Sequence, residues 1–592
     1  MKTKFFKRVL TLALATAMVL TACGQKPAAN TGETEKSSEA TATTETTGAS
    51  DAATETVIDK DSLPVLTLYP KDANLFSGFV TGHRSDYFAE NGFQMEVWAY
   101  SDEKTNAMLT SGDLPDMMYV VANSDTLKTL IETDKIINFD DYQDQLPNFF
   151  KTPPNEFMDD NIELIRENYS AGTGGLYILP FGVGTNSTIF AQTGTFDRNV
   201  VKLKWDVYEA IGAPEITDMW QLIDVMGDML EYQPATEDGT KMYGTFLDNG
   251  LDTKYLGAMW LWYQWHGYDR TLAEYLIEGS MITGEISSIL EDDSLYKEGL
   301  KWYNEVYRRG LMDPDSISTS RADQAPKLDN GFAMVPSGTL PGWASKYYEV
   351  FVPGTTVYMD FANDVMSGGQ ACIVINKESD HIEECLTFLN MLADPFAGLR
   401  ITYGPEGDIW QLDGNVLSLT DEFAAWLEEK GAINFFPMSD GTEFSIWNTA
   451  GCVGTGDIIP GYVDINGDPL SNLPTVWPDA QAITTNNDNW NAWKETMDAE
   501  DLWDYCEKNN ITVYQESKYD GLVLPVPDDS QTLTIATLKD CIVPASWNCI
   551  YADSEEEFEQ IWDQMVEDAM GLGAQGIIDW RIQCYEDAFA AK

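Results

Sequence analysis

FQMEVWAYSDEKTNAMLTSGDLPDMMYVV, residues 93–121, carries the reading that decides the fold. Apolar residues alternate from Phe93 to Val97, the period of a strand with two unlike faces, whereas Met117 to Val121 is an unbroken apolar run of strand length, as expected when both faces are covered. The stretch between them is helical and ends at Gly112, a residue suited to a helix C-terminus. Strand, helix and strand at this spacing predict a βα alternation.

The same alternation extends outward. LPVLTLYP (63–70) predicts a strand before it, and GLYILPFG (175–182) predicts one after it, ended by proline and glycine. ITDMWQLIDVMGDML (216–230) predicts a helix with Thr217 at the N-cap and Trp220, Ile223, Met226 and Leu230 on one face. Phe332 to Val335 reads as a strand running into a glycine and proline loop that holds Trp343, and ACIVINKES (371–379) as a buried strand. HIEECLTFLNMLADP (381–395) predicts a helix with Ile382, Leu386, Leu389 and Leu392 as its apolar stripe, stopped by Pro395. EEEFEQIWDQMVEDAM (555–570) predicts another, with Phe558, Ile561, Trp562, Met565, Val566 and Ala569 on one face. Short parallel strands separated by longer helices predict an α/β fold.

The chain has 592 residues, and its first part is of another kind. Lys2, Lys4, Lys7 and Arg8 precede an apolar stretch from Val9 to Leu20, the pattern of an export signal, too short for the roughly 20 residues that span a bilayer. Leu20-Thr21-Ala22-Cys23 resembles a bacterial lipobox, which makes residues 1–22 a removable signal and Cys23 the lipidated residue. Residues 24–61 are dominated by Thr, Ala, Glu and Ser without an aromatic side chain, a composition that does not offset the entropy of ordering and reads as a tether. All 18 tryptophans lie beyond it, enough for a large core and at least two domains.

The net charge of −60 repels nucleic acid and anionic lipid surfaces, so neither is an expected partner. Seven cysteines follow Cys23 with no CxxC spacing, which implies no disulfide framework. His83, His266 and His381 share no metal-ligand spacing, and no GxSxG nucleophile motif occurs. GLGAQG (571–576) matches a dinucleotide fingerprint in letters but follows a predicted helix where that motif must follow a strand, so it reads as a helix stop. DINGDP (464–469) has Asp464, Asn466 and Asp468 at calcium-loop spacing, yet Pro469 holds the position of the glycine and Thr475 that of the closing glutamate, so it reads as a turn. No cofactor, no metal and a monomer are expected.

The lipobox and acidic tether, SGDLPDMMYV, LKWDVYEAIGAPEITDMWQLIDVM, GFAMV with its following glycines and tryptophan, YGPEGDIWQLDG and IWDQMVEDAMGLGAQGIIDWRIQCYEDAF form an ordered series. Together they resemble an LplA-type member of extracellular solute-binding protein family 1, the sugar-capturing lipoproteins of ABC importers. The resemblance implies a two-lobed periplasmic-binding-protein-like α/β fold with a hinge and an interlobe cleft, holding a carbohydrate, a neutral oligosaccharide above all, for delivery to a membrane permease. It implies a first lobe of residues 62–182 plus about 368–445, a second of 183–367 plus about 446–592, and a place on the outer face of the cell membrane through lipid on Cys23. Some relatives carry an acidic calcium loop before a Tyr-Gly pair; here that stretch is ATEDGTKMYG, reduced to Glu237 and Asp238.

A sugar offers apolar ring faces and a rim of hydroxyls, so its site needs flat aromatic surfaces and planar polar groups. Trp343 and Trp410, each behind a glycine-containing loop, are the first candidates, followed by Trp447 and Trp490 beside amide residues. Trp260 and Trp265 in WLWYQWHGY are further candidates, although helical spacing there also suits a lobe core. Asp116 before a strand, and Arg84 in the first βα connection, are the polar candidates. Two other classes stay open on the residues alone. A cell-surface glycoside hydrolase needs just one pair of carboxylates among 96 acidic residues, but a chain of eight successive βα units is not seen. A peptide-binding importer receptor needs fixed charges for peptide termini, where this chain instead offers loop tryptophans.

Overall fold

The computed structural model describes residues 58–70, 77–151, 158–181, 200–236, 239–247, 249, 259–319, 324, 327–328, 330–336, 346–358, 366, 371–414, 416–430, 433, 435–445, 458–463, 467, 469–471, 474, 477–485, 487–514, 517–520, 522, 524–525 and 527–592. They belong to one compact unit running from Ile58 to Lys592. Cys23, its signal and tether residues 24–57 lie outside the described residues, while Lys60 and Asp61 at the end of the expected tether form a short 3-10 helix with Ser62.

The first sheet is built from β1 (Val65–Tyr69), β2 (Gly78–Phe79), β3 (Gln94–Val97), β4 (Met117–Val121) and β5 (Ala371–Ile375), in the order β5-β4-β1-β3-β2. β1 pairs in parallel with β3, Val65 opposite Gln94, and with β4, Leu68 opposite Met117. β5 returns from far along the chain and lies antiparallel to β4, Ala371 opposite Val121. Met117 to Val120 are buried because β4 has sheet neighbours on both edges and helices on its faces, as its unbroken apolar run requires. Helix Asp102–Ser111 links β3 to β4 and ends at Gly112 with φ 74°, a left-handed conformation that glycine adopts without steric cost.

Three main cores divide the unit. The first joins Leu66 to Phe181 with Met366 to Ile401. The second joins Val200 to Val357 with Trp493 to Tyr585. The third runs from Leu399 to Ala480. The expected boundary near residue 445 therefore falls inside the third core, because Ile459, Leu470 and Trp477 pack with Leu419, Phe423 and Phe444.

Several expected elements differ. The stretch 175–181 forms no strand: Leu176, Ile178 and Leu179 are fully buried, but the backbone there bonds to Asn138 and Phe139 instead of a sheet edge. Phe332–Val335 forms no ladder; Ala333 makes a single parallel bridge to Tyr243. Asp218, not Thr217, caps helix Met219–Tyr232, because its carboxylate accepts the amides of Trp220 and Gln221. Trp220 is 43% exposed, and the buried face is carried by Leu222, Ile223, Val225, Met226 and Met229. Pro395 opens helix Pro395–Tyr403 behind the cap Asp394, where its missing N–H costs nothing. Within GLGAQG, Leu572 and Gly573 separate helix Glu555–Gly571 from helix Ala574–Ala591. Cys372, Cys385, Cys506, Cys541, Cys549 and Cys584 are free thiols.

Candidate functional site

In an open parallel sheet the loops beyond the carboxyl ends of the strands meet at one edge, where ligands bind. The chain leaves β1 at Tyr69, β3 at Val97 and β4 at Val121, so these ends share one edge. The residues gathered there are aromatic and polar. Tyr69 is fully buried and stacks on Tyr100, ring centroids 5.5 Å apart and planes at 29°. Its hydroxyl donates to the Ser101 carbonyl at 2.8 Å and meets the Thr105 hydroxyl at 2.9 Å, which fixes the turn into helix Asp102–Ser111. Trp98, directly after β3, is half-buried and ties its amide to the Leu68 carbonyl. The Lys104 ammonium lies over the Trp98 ring at 4.2 Å and 5.4 Å from the Tyr69 ring, a cation–π arrangement. Trp98, Tyr100 and Lys104 thus form a half-exposed ledge on a buried tyrosine floor.

The ledge shares its edge with a contact to the second core. Asn123, just beyond β4, donates its amide to the Leu524 carbonyl at 3.0 Å, and Leu524 packs against that core. Nearby, Thr532 donates to the Asp125 carboxylate at 3.0 Å.

Solved structures share the overall fold. FusA, an ABC-transporter substrate-binding protein of Streptococcus pneumoniae solved with kestose, is 17% identical with a TM-score of 0.55 over 89% of this chain and 100% of that one. The N-glycan transport solute-binding protein of Streptococcus pneumoniae, solved with Man5GlcNAc, is 14% identical with a TM-score of 0.52 over 89% and 99%. An ABC-transporter-associated solute-binding protein described as binding HMO, from Bifidobacterium longum infantis, is 13% identical with a TM-score of 0.51, also over 89% and 99%. The chain has the fold of an ABC-importer solute-binding protein. No protein-family model and no curated protein matches its sequence.

Within this mixed α/β solute-binding fold, the residues singled out from sequence separate into groups. Trp343 and Trp447 lie outside the described residues. Trp410 is a correction: it is 5% exposed in the third core, and its indole N–H donates to the Gly404 carbonyl at 2.8 Å. Trp265 is another, 3% exposed in the second core, because WLWYQWHGY forms a helix whose Trp262, Tyr263 and Trp265 all pack inward. Trp260 is half-buried in the first turn of that helix with the Arg270 guanidinium 3.8 Å over its ring. Trp490 is half-buried too, stacked on Trp493 at 4.8 Å with planes at 2°.

Arg84 is 6% exposed and donates to the carbonyls of Ile401 and Thr402, closing the end of helix Pro395–Tyr403 instead of facing a ligand. Asp116 stands at the amino end of β4, opposite the ledge, where its carboxylate accepts from the Thr67 amide and hydroxyl and the Ser379 hydroxyl. Both corrections have one cause: buried backbone and hydroxyl donors or acceptors need partners, and these side chains supply them.

Sequence reasoning missed Trp98, Tyr100 and Lys104. The signal was present in the decisive stretch itself, since aromatic residues immediately after a parallel strand stand at the ligand edge. Glu278, with its pKa raised by burial to about 7, is 3% exposed beneath the start of helix Leu295–Arg308 and belongs to the second core rather than to a surface site.

Proposed function

We propose that this chain is the extracellular receptor of an ABC importer, capturing a carbohydrate between its lobes and passing it unaltered to a permease. The observation that carries the reading is the aromatic ledge at the carboxyl edge of the first sheet, on the side where Asn123 meets the second core, in a fold shared with proteins solved with kestose and Man5GlcNAc. Indole and phenol faces suit the apolar faces of pyranose rings, and Ser, Thr, Asn and Lys groups beside them suit hydroxyls. The net charge of −60 opposes polyanionic chains, so the proposed ligand is a neutral oligosaccharide. Trp98 and Tyr100, together with Trp260 and Trp490, are the proposed stacking residues among those described. Ligand bridging both lobes shifts a hinge equilibrium toward a closed form, which the permease recognises. Lipid on Cys23 keeps the receptor beside its permease, with two acyl chains needed for stable anchoring.

The test is thermal denaturation of the purified chain against a panel of oligosaccharides, since a ligand bound to the native state alone raises the melting temperature. A concentration-dependent rise with at least one glycan is expected. No rise with any glycan, or release of hydrolysis products, overturns the reading.

A further inference from the structure

Lys104 lies over two aromatic rings at the carboxyl edge of the first sheet. The chain has 96 acidic residues against 36 lysines and arginines, and many of its cations are ion-paired. Lys60 pairs with Asp86, Arg166 with Asp140, and Lys297 with Asp292 and Glu559. Among the described residues no carboxylate lies within ion-pair distance of the Lys104 ammonium, whose contacts are the faces of Trp98 and Tyr69. Lys104 also occupies the first turn of helix Asp102–Ser111, its amide bonded to the cap Ser101, where the helix dipole disfavours a cation. The helix dipole therefore argues against a lysine here, and a residue that breaks a local rule beside an aromatic ledge is accounted for by what it binds.

We infer that Lys104 reads a carboxylate on the ligand: the oligosaccharide, neutral along most of its length, carries one acidic sugar whose ring stacks beside Trp98 and Tyr100. This rests on the carbohydrate reading above and replaces its wholly neutral ligand with one that carries a single acidic sugar. The repulsion of the chain as a whole does not forbid it, because interactions between exposed charges are screened beyond about 8 Å at physiological salt, whereas the ammonium acts at contact. A single carboxylate gains a charge-assisted hydrogen bond and pays little of the cost a polyanion would meet.

The test is calorimetric titration of the full chain with matched pairs of oligosaccharides, each a neutral member and its counterpart in which one terminal hydroxymethyl is oxidised to a carboxylate. The acidic member is expected to bind about 10- to 100-fold more tightly, the range of one hydrogen bond to a charged group. Lys104→Met should abolish that preference, Lys104→Arg should retain most of it, and rising salt should shrink it. An equal loss for both members in Lys104→Met means that the lysine merely steadies Trp98, and overturns the inference. A neutral member bound as tightly as its acidic counterpart also overturns it while leaving the carbohydrate reading standing. If no member of any pair binds, both fall.

Discussion

Glu278→Ala tests how the second core tolerates a carboxyl group. The Glu278 carboxyl accepts the amides of Leu295 and Tyr296 at 2.8 and 3.0 Å and the Tyr263 hydroxyl at 3.1 Å, all at a position 3% exposed. Removing it leaves three donors unpaired, at about 1–3 kcal/mol each, so the variant should lose about 3–9 kcal/mol at pH 5. Ionisation then works against the wild type. Burial raises the pKa from 4.5 to about 7, against the opposing hydrogen bonds, so the folded state binds this proton more tightly than the unfolded state. The stability linked to it is complete below pH 4.5 and is lost as pH rises through about 7. A shift of this size corresponds to about 3 kcal/mol. The penalty of Glu278→Ala should therefore shrink by roughly that amount between about pH 5 and about pH 8, other titrating groups cancelling in the comparison. Urea denaturation followed by tryptophan fluorescence at both pH values measures it. An equal or larger penalty at the higher pH would refute the reasoning, since it would mean that the helix-start amides hold the charged form.

Trp98→Ala should weaken glycan binding at least about 10-fold, with little change in the melting temperature of the free protein, as expected for a half-exposed stacking ring. Trp410→Ala should do the reverse, destabilising the third core by about 3–5 kcal/mol in chemical denaturation while leaving affinity intact. Arg84→Ala should cost about 2–4 kcal/mol by leaving the Ile401 and Thr402 carbonyls without their donor, again without an effect on binding by folded protein. His83 has its pKa lowered to about 4, chiefly by burial, and its amide donates to Asp440 at 2.7 Å. The neutral form is favoured in the fold, so this joint keeps its stability above pH 6.5 and loses it as pH falls through about 4. The protection factor of the His83 amide, which removes the intrinsic slowing of exchange at lower pH, should fall over that interval.

The elements legible in sequence were those whose pattern has a single physical solution. Met117–Val121 could only be a strand covered on both faces, and the Phe558 to Ala569 spacing could only be one side of a helix. The run at 175–182 was misleading because burial and sheet pairing are separate requirements: Leu176 meets the first, while its amide is bonded by the Asn138 side chain. The position of Asp116 was misjudged by strand direction, since a residue that precedes a strand belongs to its amino edge. Trp410 and Trp265 were misjudged because glycine-rich flanks and aromatic density are shared by binding loops and by cores. Which indoles a core absorbs depends on helices distant in the chain, such as the one that brings Trp302 to within 5.6 Å of Trp262.

The late arrival of β5 sets an order on assembly. β4 has one of its two edges unsatisfied until residues 371–375 have emerged, because the strand that completes it comes some 250 positions later. A chain that has emerged only as far as residue 370 therefore carries a bare apolar strand edge exposed to its neighbours. Truncations that end before Ala371 should aggregate where the whole chain does not, and the first sheet with its helices is not a unit that can be cut free from the front of the sequence.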